Sequence, residues 1–303
     1  MPKRSLEVRR ITFRKKRDRS DDPQVFSPVD LNNESLLDIF DSWRREPDAI
    51  PPMEEGSDDC VMVKEVLRPN NLALFIDTNS GRRGEEGEVY APGSTESVHH
   101  ITEEEAPTGH TRALLFVPSQ GRNALFFSEY CQRGTAGTRL TKLFKKWFSR
   151  KYPDVLMETE FVLEGPEWFD HITAVKSIEM RAHRLPLNSY EALGTKSGSF
   201  SLEVKPDKGR SFSRKTLGDI KKMTANVAAT VFGIPELDGA GENKLFATVV
   251  GRDGRSKKVD LADEVMPHFR RTLSESGESE ISNDEFVSRC LEYADEILSR
   301  LEE

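Results

Sequence analysis

Apolar positions along the chain alternate between a period near two and a period near 3.6, and the changes of period divide it into elements. Residues 6–17 mix Val8, Ile11 and Phe13 with Arg9, Arg10, Arg14, Lys15, Lys16 and Arg17, a basic first strand. Its charge suits either a solvated sheet edge or an arm that touches phosphate. Residues 33–44 set Leu36, Leu37, Ile39, Phe40 and Trp43 at spacings of three and four, a helix ended by Pro47, Pro51 and Pro52. Short apolar runs at 60–67, 72–77, 112–117 and 124–130, bounded by Pro, Gly, Asn and Ser, read as strands. Residues 79–110, rich in Gly, Glu, Ser and Thr and poor in apolar residues, read as a long polar, mobile loop or an excursion away from the core.

The clearest helix is 138–151. Leu140, Leu143, Phe144, Trp147 and Phe148 share one arc, while Arg139, Lys142, Lys145, Lys146 and Arg150 share the other. Strand-like stretches follow at 155–163 and 172–184, and residues 200–205 alternate Phe200, Leu202 and Val204 with Ser201, Glu203 and Lys205. A further helix, capped by Ser213 and closed by Gly233 with Pro235 beyond, carries Leu217, Ile220, Thr224, Val227 and Val231 on one stripe. That seam suits a dimer interface or packing on its own sheet. A strand at 245–250 and a basic patch, Arg252, Arg255, Lys257 and Lys258, complete the unit. These elements predict an α+β fold with three parts. Residues 1–170 form a mixed-sheet globular domain, 171–270 a smaller strand-helix-strand dimerisation domain, and 271–303 an acidic helix packing back on the first.

Charge sharpens the picture. The formal net charge is -8, yet residues 139–151 carry six basic side chains and no acidic one. Ten acidic residues against Arg289 and Arg300 in 274–303 account for the whole net charge. A locally positive face on an acidic protein still attracts a polyanion, because affinity follows the potential near the phosphates. Helix 138–151 therefore has three uses open to it: a face for DNA, a membrane-surface helix, or a packed helix with a solvated side. Residues 205–222 add seven basic groups against Asp207 and Asp219. The expected DNA contacts are Arg139, Lys142, Lys145, Lys146, Arg150 and Lys151, with Lys205, Lys208, Arg210, Arg214 and Lys215.

Other chemistry is sparse. Glu203-Val204-Lys205 is an ExK element, in which a carboxylate holds Mg²⁺ and a lysine steadies the attacking water. Asp170, Glu179 or Glu191 could supply the second acid, so a Mg-dependent nuclease is the alternative, with a solvated ion pair as the plain reading. The six histidines lack HxxxH or HExxH spacing, and the 81–88 glycine run lacks a Gly-Lys-Ser/Thr ending. No metal site, catalytic group or cofactor is expected. Cys60, Cys131 and Cys290 are far apart and read as core thiols. Neither an apolar run of about 20 residues nor a secretory leader is read, which points to the cytoplasm.

The order of features resembles the RexA proteins of temperate phages. The resemblance rests on ITFRKKRDRS (11–20), LNNESLLDIF (31–40), VKSIEMRAHRLP (175–186), SLEVKP (201–206), DIKKMTANVAATVFG (219–233) and RCLEYADEI (289–297). It implies a non-enzymatic, largely sequence-independent double-stranded DNA binder, dimeric, shaped like the recombination-associated RdgC proteins. It further implies a part in phage exclusion, an abortive-infection defence carried by a prophage, with signalling to a membrane partner like RexB.

Overall fold

The computed structural model describes residues 2–18, 20, 23–54, 56–132, 134–164, 172–182, 200–212, 244–251, 256–260 and 268–301. The fold is mixed α+β with antiparallel sheets. It divides into two compact units, residues 1–162 with 269–303 and residues 163–268.

The first unit is built on an eight-stranded sheet. Its main path runs β14 (Arg270–Ser274), β1 (Arg4–Lys15), β8 (Ala124–Tyr130), β7 (Thr108–Phe116), β4 (Ala73–Arg82) and β3 (Asp59–Asn70). β2 (Val25–Phe26) and β9 (Val155–Phe161) also pair with β1. The central strands are apolar in unbroken runs because both sheet faces are covered. Leu74, Ile76, Ala113, Leu115 and Phe126 point to α1 (Leu36–Arg44) and α2 (Gly137–Lys151). Their neighbours Phe75, Leu114, Phe116, Leu125 and Phe127 point to the opposite face, under the C-terminal helix α3 (Asn283–Leu301). α3 inserts Phe286, Cys290, Ala294 and Ile297, all fully buried and spaced three or four apart.

A buried ion network ties the start of α3 to the sheet. Arg112, fully buried, donates from Nε and a terminal nitrogen to Glu129, 2.9 Å each, and from its other terminal nitrogen to the Ile281 carbonyl at 2.7 Å. Arg4 reaches Glu129 at 3.0 Å and Glu280 at 2.9 Å, while His110 bridges Asp77 and Glu280.

Two expectations change here. The basic first strand is neither an edge nor a free arm, since β1 pairs with β8 at 5–11, β14 at 4–7 and β9 at 9–15. Its arginines are tolerated inside a sheet because each finds a partner: Arg10 and Arg14 pair with Glu160 and Glu158 of β9, Arg9 lies over Phe161, and Arg4 pairs with Glu129 and Glu280. The segment 79–110 is an excursion away from the core rather than a plain loop, and half of its residues lie in strands. β4 runs on to Arg82 and β7 starts at Thr108, their polar residues paired through Thr78, Ser80 and Thr111 hydroxyls at 2.9 Å in the interior. Between them β5 (Gly87–Tyr90) and β6 (Ser97–Ile101) form a hairpin, turned at Ala91–Ser94 with Gly93 at φ +79°. Periodicity missed these strands because hydroxyls and exposed residues take the places of core side chains.

The second unit holds a four-stranded antiparallel sheet in the order β11 (Phe200–Val204), β10 (Ala174–Ala182), β12 (Lys244–Val250), β13 (Ser256–Asp260). Among the described residues, Val175, Ile178, Met180, Ala247, Val249 and Val259 are its buried apolar side chains. The expected helix between β11 and β12, with Leu217, Ile220, Thr224, Val227 and Val231, lies outside the described residues.

Candidate nucleic-acid interface

α2 forms where the apolar arc predicts it, and the sheet fixes which way it faces. Leu140, Leu143, Phe144 and Phe148 are buried in the core shared with α1, where Phe144 lies 4.9 Å from Phe40 and 5.1 Å from Trp43, ring centre to ring centre. Trp147, half-buried, donates from its indole to Glu46 at 2.7 Å, so it is not a free platform for a base. Burial of that arc leaves Lys142, Lys145, Lys146, Arg150 and Lys151 exposed. No acidic residue lies on the helix, and Lys146 alone has a carboxylate nearby among the described residues, Glu54 at 3.6 Å. Lys142 to Arg150 spans about 12 Å at 1.5 Å per residue, a row of cations with uncompensated repulsion.

Arg139, expected among the DNA contacts, does not belong to this face. It lies on the charged arc, but the first turn of α2 is covered by the chain around Pro51 and Asp59. The guanidinium, in a residue only 5% exposed, donates to the Pro51 carbonyl at 2.7 Å and to the Asp59 carbonyl. A helical wheel treats every turn alike and cannot see that cover.

The first strand contributes less than its composition promises. Arg10 pairs with Glu160 at 2.7 Å and Arg14 with Glu158 at 2.8 Å across the β1–β9 ladder. Arg9 lies over the Phe161 ring, 3.8 Å from its centre, and donates to Thr138 at 3.2 Å; burial lowers its pKa from the ordinary arginine value. The end of the strand differs. Lys15, Lys16 and Arg17 are exposed, and the Lys16 amide donates to the Asp154 carbonyl at 2.8 Å, just beyond the end of α2. That bond brings the end of β1, with its three exposed cations, close to the C-terminal end of α2. The sequence shows their charge but not this neighbourhood, which arises from the pairing of β1 with β9.

In the second unit the ExK element lies on β11, and the β10–β11 register puts Glu179 directly opposite Glu203. Both carboxylates are already neutralised. Glu203 takes a 2.8 Å contact from Lys205, which lowers its pKa. Glu179 accepts from Lys258, Arg181 and Ser201, and the Lys258 contact above all holds its pKa down to about 2. Lys205 is thus engaged in an ion pair, whereas Lys208 and Arg210 are exposed in the turn that Gly209 makes at φ +83°. Arg214 and Lys215, like Asp170 and Glu191, lie outside the described residues. Among the described residues no three His, Cys, Asp or Glu side chains gather as metal ligands, and no helix is long and apolar enough to cross a membrane.

Models of known protein families give no match to this chain, and neither do the curated proteins.

Proposed function

We propose that this chain is a non-enzymatic, largely sequence-independent binder of double-stranded DNA. The observation that carries the reading is the outer face of α2, where Lys142, Lys145, Lys146, Arg150 and Lys151 are exposed on a helix that holds no acid. Exposed lysines fit a sequence-independent role, because a compact ammonium neutralises phosphate as a point charge without reading base edges. Lys15, Lys16 and Arg17 belong to the same footprint, and Lys208 and Arg210 are a second source of phosphate contacts from the other unit. In the fuller proposal the protein is a homodimer through the Leu217–Val231 seam, of RdgC-like shape. It acts in the cytoplasm in RexA-like phage exclusion, sensing phage DNA or protein-DNA complexes and signalling to a membrane partner.

The test is duplex binding across a salt series. Each phosphate contact contributes about 0.9 to the slope of log affinity against log salt. The triple variant Lys142→Gln/Lys145→Gln/Arg150→Gln is expected to lower that slope by about 2 to 3 and to weaken binding to unrelated duplexes alike. A wild-type protein that binds no duplex at low salt refutes the proposal.

A second reading draws on one observation, the pairing of Glu179 with Glu203 beside Lys205. Two carboxylates on adjacent strands are a start for Mg²⁺-dependent DNA cleavage. Against it, Lys205, Lys258 and Arg181 surround those two acids with more positive charge than they carry. Cleavage of the duplex with Mg²⁺ present, lost in Glu203→Ala, would establish this reading over the first.

A further inference from the structure

The β5–β6 hairpin has no place in either core. Every residue from 88 to 100 is exposed, and the hairpin leaves Val89 39%, Tyr90 55% and Val98 63% accessible. A two-stranded hairpin is marginal in water by itself, and apolar side chains gathered on one in the open mark a contact surface. Its charge says what kind. Residues 84–105 hold seven glutamates and no Lys or Arg. Glu88 is taken up by His100 and Ser97, and Glu105 by His99. Glu85, Glu86, Glu96, Glu103 and Glu104 have no cationic partner among the described residues. The opposite deficit sits on α2, where Lys142, Lys145, Arg150 and Lys151 have no carboxylate partner among the described residues.

No ion pair joins the two surfaces within one chain among the described residues. The hairpin root and the first turn of α2 line the same cleft, of about 820 Å³, through Gly84 and Glu85 on one side and Thr138 and Arg139 on the other. The exposed cations begin one turn further on, at Lys142. We infer that the β5–β6 hairpin docks on the α2 basic face of a second copy of this chain. Opposite charges provide the attraction and set the register, and the contact covers the apolar side chains of one face of the hairpin. This contact is separate from any dimer seam in the second unit, and it does not depend on DNA binding. It does occupy the face assigned above to DNA, so a polyanion competes with it.

The experiment joins glutamate to lysine with a zero-length carbodiimide crosslinker in an equal mixture of ¹⁵N-labelled and unlabelled full-length protein, without DNA. Crosslinked peptides are expected between Glu85, Glu86, Glu103 or Glu104 of one isotope and Lys142, Lys145 or Lys151 of the other, with a yield that falls as salt rises. One variant reverses the hairpin, Glu85→Lys/Glu86→Lys/Glu103→Lys/Glu104→Lys. The other reverses the helix, Lys142→Glu/Lys145→Glu/Arg150→Glu. Each alone is expected to lose these crosslinks, and a mixture of the two to regain them, because the unreversed hairpin of one variant then meets the unreversed helix of the other. Crosslinks confined to one isotope, or no recovery in the mixture of two variants whose thermal unfolding matches the wild type, overturn the inference. The wild-type map decides the matter even if a variant fails to fold.

Discussion

At the scale of single residues, burial decides what a charge does. Arg112 is fully buried, paired in two places with Glu129 and lying 4.8 Å from the centre of the Phe286 ring. Arg112→Met removes one partner of a buried pair and leaves Glu129 to Arg4 alone. A loss of about 3–5 kcal/mol is expected in urea unfolding, and adding Glu129→Gln should restore part of it. Glu179 gives a pH signature. Its pKa in the folded protein, about 2, lies below the ordinary glutamate value near 4.3, so the folded state holds fewer protons between them. Its stabilising contribution is whole above about pH 4.3 and fades as the pH falls toward about 2. Glu179→Gln should flatten the stability curve over that interval; an unchanged slope would mean that Lys258 does not hold the carboxylate. Arg139 teaches the same lesson in reverse, since sequence placed it among the surface cations and two backbone carbonyls claim it instead.

At the scale of elements, the apolar arc and the basic arc of α2 separate cleanly in their effects. Phe144→Ala is expected to cost about 3–5 kcal/mol through the cavity it opens against Phe40 and Trp43. Neutralising Lys142, Lys145 and Arg150 should change stability by no more than about 0.5 kcal/mol per site, so that any loss of DNA binding is not a loss of fold. Gly81 in β4 is set by close approach: a Cβ there would stand 2.1 Å from the Pro107 carbonyl oxygen. Gly81→Ala should cost about 1–3 kcal/mol by overpacking, measured by thermal melting beside an exposed control such as Lys142→Ala. Helices and apolar strands were legible in the sequence because their side chains repeat with the backbone period. The extension of β4 and the hairpin were not, because the first is stitched by hydroxyls and the second faces water on every side.

At the scale of the whole molecule, the second unit is an insertion. The first unit is made of two stretches of chain that come together where the insertion leaves, with the Phe269 amide donating to the Val162 carbonyl at 2.7 Å. A chain that joins residue 162 to residue 269 through a short glycine-serine link is expected to fold, with cooperative unfolding by circular dichroism and the α3 helix retained. Failure of that chain to fold would mean that the first unit needs the second for its stability. The exposed cations of α2, like Lys15, Lys16 and Arg17, lie within the first unit, so the proposed function predicts that the truncated protein binds duplex DNA with an affinity that falls as salt rises.

The sequence by itself determined the α+β character, the two helices whose apolar stripes pack on the sheet, and the presence of concentrated positive charge on an acidic chain. Each of these is a local property, written in the period of the side chains or in their sign. Only the tertiary structure decided which charges remain available. It paired the first strand's arginines with β9, buried Arg139 beneath the chain around Pro51, brought Lys15, Lys16 and Arg17 beside the end of α2, and set Glu179 opposite Glu203. Those outcomes depend on strand pairing between residues far apart in the chain, and period and composition carry no record of which distant strand becomes a neighbour.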